Sequence, residues 1–294
     1  MKYKVKAPRV IFMIFAVILM LAITVVSVIP LWHVLMLSLS NPTAVTTNRG
    51  LALGILGNLD LNAYKMLLGY KKLWAGYGYT ILYIVLSCAF TGVLTVMAGY
   101  IFSRRRFRYR NSFMMLISFT MLFNGGMIPT FMVIQKLGMI DTIWAMVIPG
   151  SLNVFNIILM RTSMEGISDA LEDAARIDGA NDFTIMFRII LPLCKATFAV
   201  IMLFTAVYKW NDFMSALIYL PRRTDLYPLQ MALKEILFRT TKDISTAADA
   251  TSNSVYAQNI KNAAIIVSTV PILCVYPFVQ KYFVTGMTVG AVKS

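Results

Sequence analysis

One histidine, His33, serves all 294 residues, and the three cysteines, Cys88, Cys194 and Cys274, show no paired spacing. That scarcity excludes a disulfide framework, any metal site, and a membrane enzyme built on convergent His, Asp or Cys groups. His33 follows Trp32 at the end of an apolar run and reads as an interfacial residue, while the cysteines lie in or beside apolar segments and read as packing residues. Charge is equally thin, at 14% of the chain, with 13 acidic residues against 27 basic ones. The resulting net charge of +14 does not point to nucleic acid, because the basic residues cluster beside hydrophobic runs instead of forming one long polar face.

What the chain has in excess is apolar surface: 59% of its residues are hydrophobic and the mean hydropathy is +0.71. Soluble domains do not reach these values, so the chain reads as an all-α integral membrane protein whose solvent is the lipid bilayer. A hydrocarbon core of about 30 Å needs about 20 apolar residues as a helix. Six segments qualify, over residues 10–32, 79–102, 112–135, 142–162, 196–220 and 262–284. The first is too long for a signal-peptide core and lacks a cleavage site, so it is expected to be a retained anchor. "NGGMIP" (residues 124–129) and Pro149 interrupt the third and fourth segments, and such breaks are tolerated where neighbouring helices or a cavity supply hydrogen bonds.

Basic residues set the orientation. Lys2, Lys4, Lys6 and Arg9 precede the first span and "RRRFRYR" (residues 104–110) follows the second, which places both on the cytoplasmic side. The expected organisation is a cytoplasmic N-terminus over 1–9, a six-span transmembrane domain over 10–284 and a cytoplasmic tail over 285–294. Outer loops are then expected over about 33–78 and 221–261, and a cytoplasmic loop over about 163–195. The Ser/Thr/Ala-rich "TTKDISTAADATSNS" (residues 240–254) reads as a mobile surface loop.

The cytoplasmic loop holds "EDAARIDGANDFTIMFRIILP" (residues 172–192), with four carboxylates and two arginines between two long apolar runs. Asp169, with Glu172 three residues on, makes a capping box that starts a helix, and Ile167, Leu171, Ala174 and Ala175 line one side of it. Gly179 supplies the left-handed turn that stops it. Asn181 or Asp182 caps a second helix with Phe183, Met186, Phe187 and Ile190 on one face, closed by Pro192. Small residues at Ala174, Ala175 and Gly179 suit the close approach of another backbone.

The spacing in this loop resembles the EAA signature of the permeases of ATP-binding-cassette importers. Asp173, Ala174 and Ala175 are followed after three residues by Gly179, then after nine by Ile189, with Leu191 and Pro192 completing the pattern. The departure is Asp173 where the family has glutamate, with Glu172 beside it. "IPTFMVIQKLGMIDTIWAMVIPG" (residues 128–150), "YKWNDFMSALIYL" (residues 208–220) and the ending "GMTVGAVKS" are similar to the carbohydrate-uptake branch, in particular its second, maltose-type permease subunit. "FNGGMIP" and "YPLQMALKEIL" are closer to permeases for complex oligosaccharides, including those bearing uronic acids.

The resemblance implies a type I importer fold and a transmembrane permease subunit that passes a sugar or oligosaccharide. It implies a second permease subunit, giving a heterodimer, two ATP-binding cassette subunits that carry ATP and magnesium, and an extracytoplasmic solute-binding protein. It assigns docking of the ATPase to Glu172, Asp173, Ala174, Ala175 and Gly179, with Arg176 and Asp178 orienting the turn. The chain itself is expected to bind no nucleotide, because Gly286, Gly290, Lys293 and Ser294 lack phosphate-loop spacing. Intramembrane polar and aromatic residues, namely Asn124, Asn153, Asn156, Tyr208, Trp210 and Asn211, are candidates for the sugar pathway, with helix packing as the alternative duty for each. Lys209 and Asp212 are spaced to pair across one helical turn. The competing reading, a secondary transporter or other polytopic protein not coupled to ATP, calls for internal repeats and midplane ionisable groups that the sequence does not display.

Overall fold

The computed structural model describes residues 7–123, 125–246 and 250–291, with side chains described over 8–123, 125–238 and 256–277. Every regular element among these residues is helical. The chain forms two compact units, one from residues 1–70 and 234–271, the other from 71–233 and 272–294.

In the first unit, α1 (Ala7–Leu39) is followed by the short α2 (Pro42–Thr47) and α3 (Asn62–Leu68). From Val10 to Trp32 the α1 side chains are almost all exposed, Phe12 and Met20 by more than two thirds. An exposed apolar stretch of this length is stable only against lipid or another apolar surface. The end of α1 is tied down: Asn259 Nδ2 donates to the carbonyls of Leu37 at 3.3 Å and Ser40 at 2.8 Å, satisfying groups that a helix terminus leaves open. His33 is not merely interfacial, since its Nδ1 accepts from the Ala52 amide at 2.9 Å and folds residues 48–56 back on the helix.

The second unit is organised around α4 (Lys71–Ser103), which begins eight residues before the expected span and packs on α8 (Val154–Glu165) and α12 (Lys195–Trp210). Between α4 and α8 stand α5 (Arg110–Leu122), α6 (Met127–Lys136) and α7 (Ile143–Val147). The core joins Val96, Tyr100, Met160, Met164, Ile185, Ile190 and Ile201. Gly99 permits the closest approach: a Cβ there would lie 2.9 Å from Met160 Cγ and 3.0 Å from its Cβ. Gly99→Ala is therefore expected to destabilise the α4–α8 contact by about 1–3 kcal/mol through overpacking. Gly78→Ala, on the same helix with nothing within 4 Å, is expected to stabilise by about 0.5–1 kcal/mol. Thermal unfolding of the two purified variants checks this opposition of sign.

The third and fourth segments are interrupted where the sequence indicates, and the fifth is interrupted as well. Among the described residues, three helices are long and apolar enough to cross a membrane unbroken, at Pro8–Leu39, Lys71–Ser103 and Tyr256–Pro277. The expected third span is α5 and α6, bent by 113°. The fourth is α7 and α8, parted where Pro149 lacks an amide hydrogen and Gly150 takes φ +79°. The fifth divides into α12 and α13 (Met214–Tyr219) around Asn211. Window hydropathy averages over the break at residues 211–213, which carries no proline or glycine to mark it, so that interruption alone escapes the sequence reading. The expected irregular outer segments are also largely helical. Besides α2 and α3, α14 (Leu229–Thr246) and α15 (Ala250–Ala291) occupy most of residues 240–254, described at 240–246 and 250–254.

Candidate functional site

The charged loop folds as two helices about a tight turn. Ser168, not Asp169, caps α9 (Asp169–Ile177), its hydroxyl accepting from the Ala170 amide at 3.3 Å. Asp169 is left to approach Arg104 at 3.4 Å and Arg105 at 3.9 Å. Gly179, at φ +81°, ends the helix as the sequence indicates. Its amide donates to the Arg176 carbonyl at 3.0 Å and that of Ala180 to the Ala175 carbonyl at 2.9 Å, the paired bonds of a left-handed C-terminal cap. Asn181 caps the second helix, accepting from the Thr184 amide at 2.8 Å.

That second helix is α10 (Asp182–Thr184), a π-helical turn (Ile185–Ile190) and α11 (Leu191–Leu193) in succession. Pro192 does not close it. The Leu191 amide reaches back five residues to the Met186 carbonyl, and this slip of register admits the proline ring, so the helix ends at Cys194 and bends 87° into α12. Ile185, Met186 and Ile190 are buried, whereas Phe183 is 63% exposed, so the four apolar residues expected on one face are divided between core and surface. Ile189 and Leu191, partly buried, pack against the core, and Pro192 is exposed.

Glu172 is the main departure from the sequence reading. It is buried, not presented outward. Its Oε1 accepts from the Tyr100 hydroxyl at 2.9 Å and from Arg176 at 2.8 Å, and its Oε2 lies 3.3 Å from Arg104. Arg104, itself buried, donates to the Met164 carbonyl at 3.1 Å and lies over the Tyr100 ring. Arg176 also bonds Asp182 across the turn. Hydrogen bonding to Glu172, then to Asp182, raises Arg176 further above the ordinary guanidinium range, so this cation stays charged at any physiological pH. The network fastens the inner face of α9 to the end of α4 from residues 72 positions away in the chain, a separation that no local pattern reveals.

With its inner face fastened, α9 displays the other side. Asp173, Ala174, Asp178 and Gly179 are exposed, with Leu171 at 45% and Ile177 at 86% exposure. Ala175, expected on the displayed side, is buried. Ile177 was not among the residues the sequence singled out. The available signal was its place three residues after Ala174, on the face opposite Glu172.

The pathway candidates are dispersed. Asn153 caps α8, accepting from the Phe155 amide at 2.9 Å, and Asn211 donates to the Val207 carbonyl at 2.9 Å. Asn156 is buried, Tyr208 is exposed, and the Trp210 ring lies 6.1 Å from that of Tyr77. Asn124 lies outside the described residues. Lys209 and Asp212 pair at 3.7 Å, as their spacing indicates.

Residues 91–289 match the family model described as binding-protein-dependent transport system inner membrane component. The chain is 36% identical, over 96% of its length and 97% of the relative's, to the polygalacturonan/rhamnogalacturonan transport system permease protein YtcP of Bacillus subtilis. It is 28% identical to the arabinooligosaccharides transport system permease protein AraQ of Halalkalibacterium halodurans, over 75% of this chain and 74% of that one. Among solved structures it is similar to a bacterial ABC transporter involved in the import of the acidic polysaccharide alginate, with a TM-score of 0.83 and 34% identity over 95% of this chain and 99% of the other.

Proposed function

The chain belongs to the family of binding-protein-dependent transport system inner membrane components, and from that premise we propose that α9 is the joint through which an ATP-binding subunit drives the import of an acidic oligosaccharide. As a member it is the inner-membrane permease of a bacterial ATP-binding-cassette importer, which works with a second permease, ATPase subunits and a solute-binding protein. The observation that carries the reading is the asymmetry of α9: one face is held by buried Glu172, while small, acidic and apolar groups stand free on the other. A joint transmits work only if its contacts differ between two states, and a helix braced from behind moves its own bundle when its front is pulled.

In this account two ATPase subunits bind ATP and magnesium and dock on Asp173, Ala174, Ile177, Asp178 and Gly179. The permease forms a heterodimer, crosses the membrane six times with interrupted third, fourth and fifth passages, and keeps both termini in the cytoplasm. Tyr208, Trp210 and Asn211 border the pathway, with Asn124, Asn153 and Asn156 as further candidates. Uronate-bearing oligosaccharides are favoured as cargo because a relative named for polygalacturonan and rhamnogalacturonan and a structure named for alginate both match nearly the whole chain.

The test is ATP-dependent uptake into proteoliposomes by the complete transporter with its binding protein. Oligogalacturonides are expected to enter at least about tenfold faster than neutral maltooligosaccharides of equal length, a difference of about 1.4 kcal/mol in selection. Equal or reversed preference removes the acidic-sugar assignment.

A further inference from the structure

Two helix interruptions in the second unit are joined by one buried ion pair. In a continuous helix the Met146 carbonyl accepts from the Gly150 amide, but Gly150 turns aside at φ +79°. Lys209 Nζ donates to that carbonyl instead, and Ser151 Oγ takes the carbonyl of Val147. On the other side of the joint, Asp212 Oδ1 accepts from the Ser215 amide at 3.0 Å and opens α13. The two charged side chains, each 5% exposed, approach to 3.7 Å. One pair thus satisfies backbone groups left open by both breaks.

Such a pair is not retained for stability alone. Burying two charges costs more than burying two apolar groups, above all in a membrane. An apolar pair, however, leaves the Met146 carbonyl and the Ser215 amide without partners where water is scarce. The same two helices are tied again at their far ends. The Asp141 amide donates to the Tyr219 carbonyl at 2.8 Å, and its carboxylate accepts from the amides of Arg222 at 3.0 Å and Arg223 at 3.2 Å. Asp141 holds φ +60°, a conformation uncommon outside glycine, to make these bonds. Between the two ties lie buried Met146, Val147, Ala216 and Leu220.

We infer that Lys209 and Asp212 are positioning residues that lock α7 and α13 into one rigid body, fixing the break at Asn211 from which Tyr208 is displayed. The two interrupted passages then move together, so the pathway opens by displacement of this body and not by separation of α7 from α13. The inference rests on the importer reading only for its transport readout.

The experiment places cysteine pairs across the joint, Met146 or Val147 with Ala216 or Leu220, in a complex whose Cys88, Cys194 and Cys274 are replaced by alanine. Iodine, an oxidant small enough to reach buried thiols, is expected to join them as a disulfide at the same rate with and without ATP, and the cross-linked complex is expected to transport. A rate that changes with nucleotide, failure of every pair to cross-link, or transport lost on cross-linking and restored by reduction overturns the inference. Lys209→Met is expected to lower uptake by about tenfold or more at unchanged membrane level, with Lys209→Arg restoring it. Wild-type uptake by Lys209→Met also overturns it, and if that variant does not accumulate, the cross-linking result decides. Absence of oligogalacturonide uptake by the wild type counts against the proposed cargo alone, since the cross-linking rate is read without substrate.

Discussion

Gly179→Asp is expected to abolish uptake while leaving the protein in the membrane at its normal level. Two effects combine. At φ +81° any L side chain costs about 1–2 kcal/mol, which loosens the turn without unfolding a bundle whose core lies elsewhere. A Cβ at this position meets nothing within 4 Å, so the loss arises at the surface that α9 offers to its partner. There the added carboxylate blocks close approach of a second backbone and places a fifth acid in a segment that already carries four. Gly179→Asn separates the two effects, because asparagine tolerates the left-handed conformation better and adds no charge. Its uptake is expected to fall between those of Gly179→Asp and the wild type. Radiolabelled sugar uptake with immunoblotting of membranes reads both quantities.

Glu172→Ala carries the second largest expected effect, and for a different reason. It removes the acceptor shared by Tyr100 and Arg176 and leaves Arg104 buried without its nearest carboxylate. Breaking a buried pair from one side costs about 3–5 kcal/mol when the remaining charge is uncompensated; here Asp169 still faces Arg104 at 3.4 Å and Asp182 still bonds Arg176, so the loss is expected to stay below that range. The second unit keeps its apolar core, so the expected consequence is release of α9 from α4, not loss of the fold. Trypsin is then expected to cut the 163–195 loop much faster than in the wild type, and ATP hydrolysis is expected to continue without sugar movement. Glu172→Gln, which still accepts from Tyr100, is expected to be milder on both counts. If proteolysis and coupling in Glu172→Ala match the wild type, the bracing role is wrong.

How far the sequence carries depends on the range of the physics involved. The turn at Gly179 and the cap at Asn181 are readable because their chemistry is local: a left-handed residue and a side-chain acceptor act within three positions. The cap at Ser168 is missed by one residue because Ser168 and Asp169 are both good caps, and only the approach of Arg104 and Arg105 draws Asp169 away. Burial of Glu172 is invisible in its own segment, since Tyr100 and Arg104 belong to a distant helix, and "RRRFRYR" reads only as a topological marker. Ile177 escapes notice for the complementary reason. An apolar residue on an amphipathic helix is assigned to the core by default, and here it is 86% exposed. The interruption at residues 148–153 is marked by Pro149, whereas that at 211–213 is softened by hydropathy averaging, although the Lys209–Asp212 spacing marks it once hydrogen-bond partners are sought.

The most direct measurement incorporates a photo-cross-linking amino acid at Ile177 and, as a control on an exposed site remote from α9, at Leu122. The complex is assembled with an epitope-tagged ATP-binding subunit and irradiated. The account predicts an adduct carrying that tag from Ile177 and none from Leu122, with a yield that changes when ATP is added. A complex that hydrolyses ATP and imports sugar yet forms no such adduct at Ile177 contradicts it.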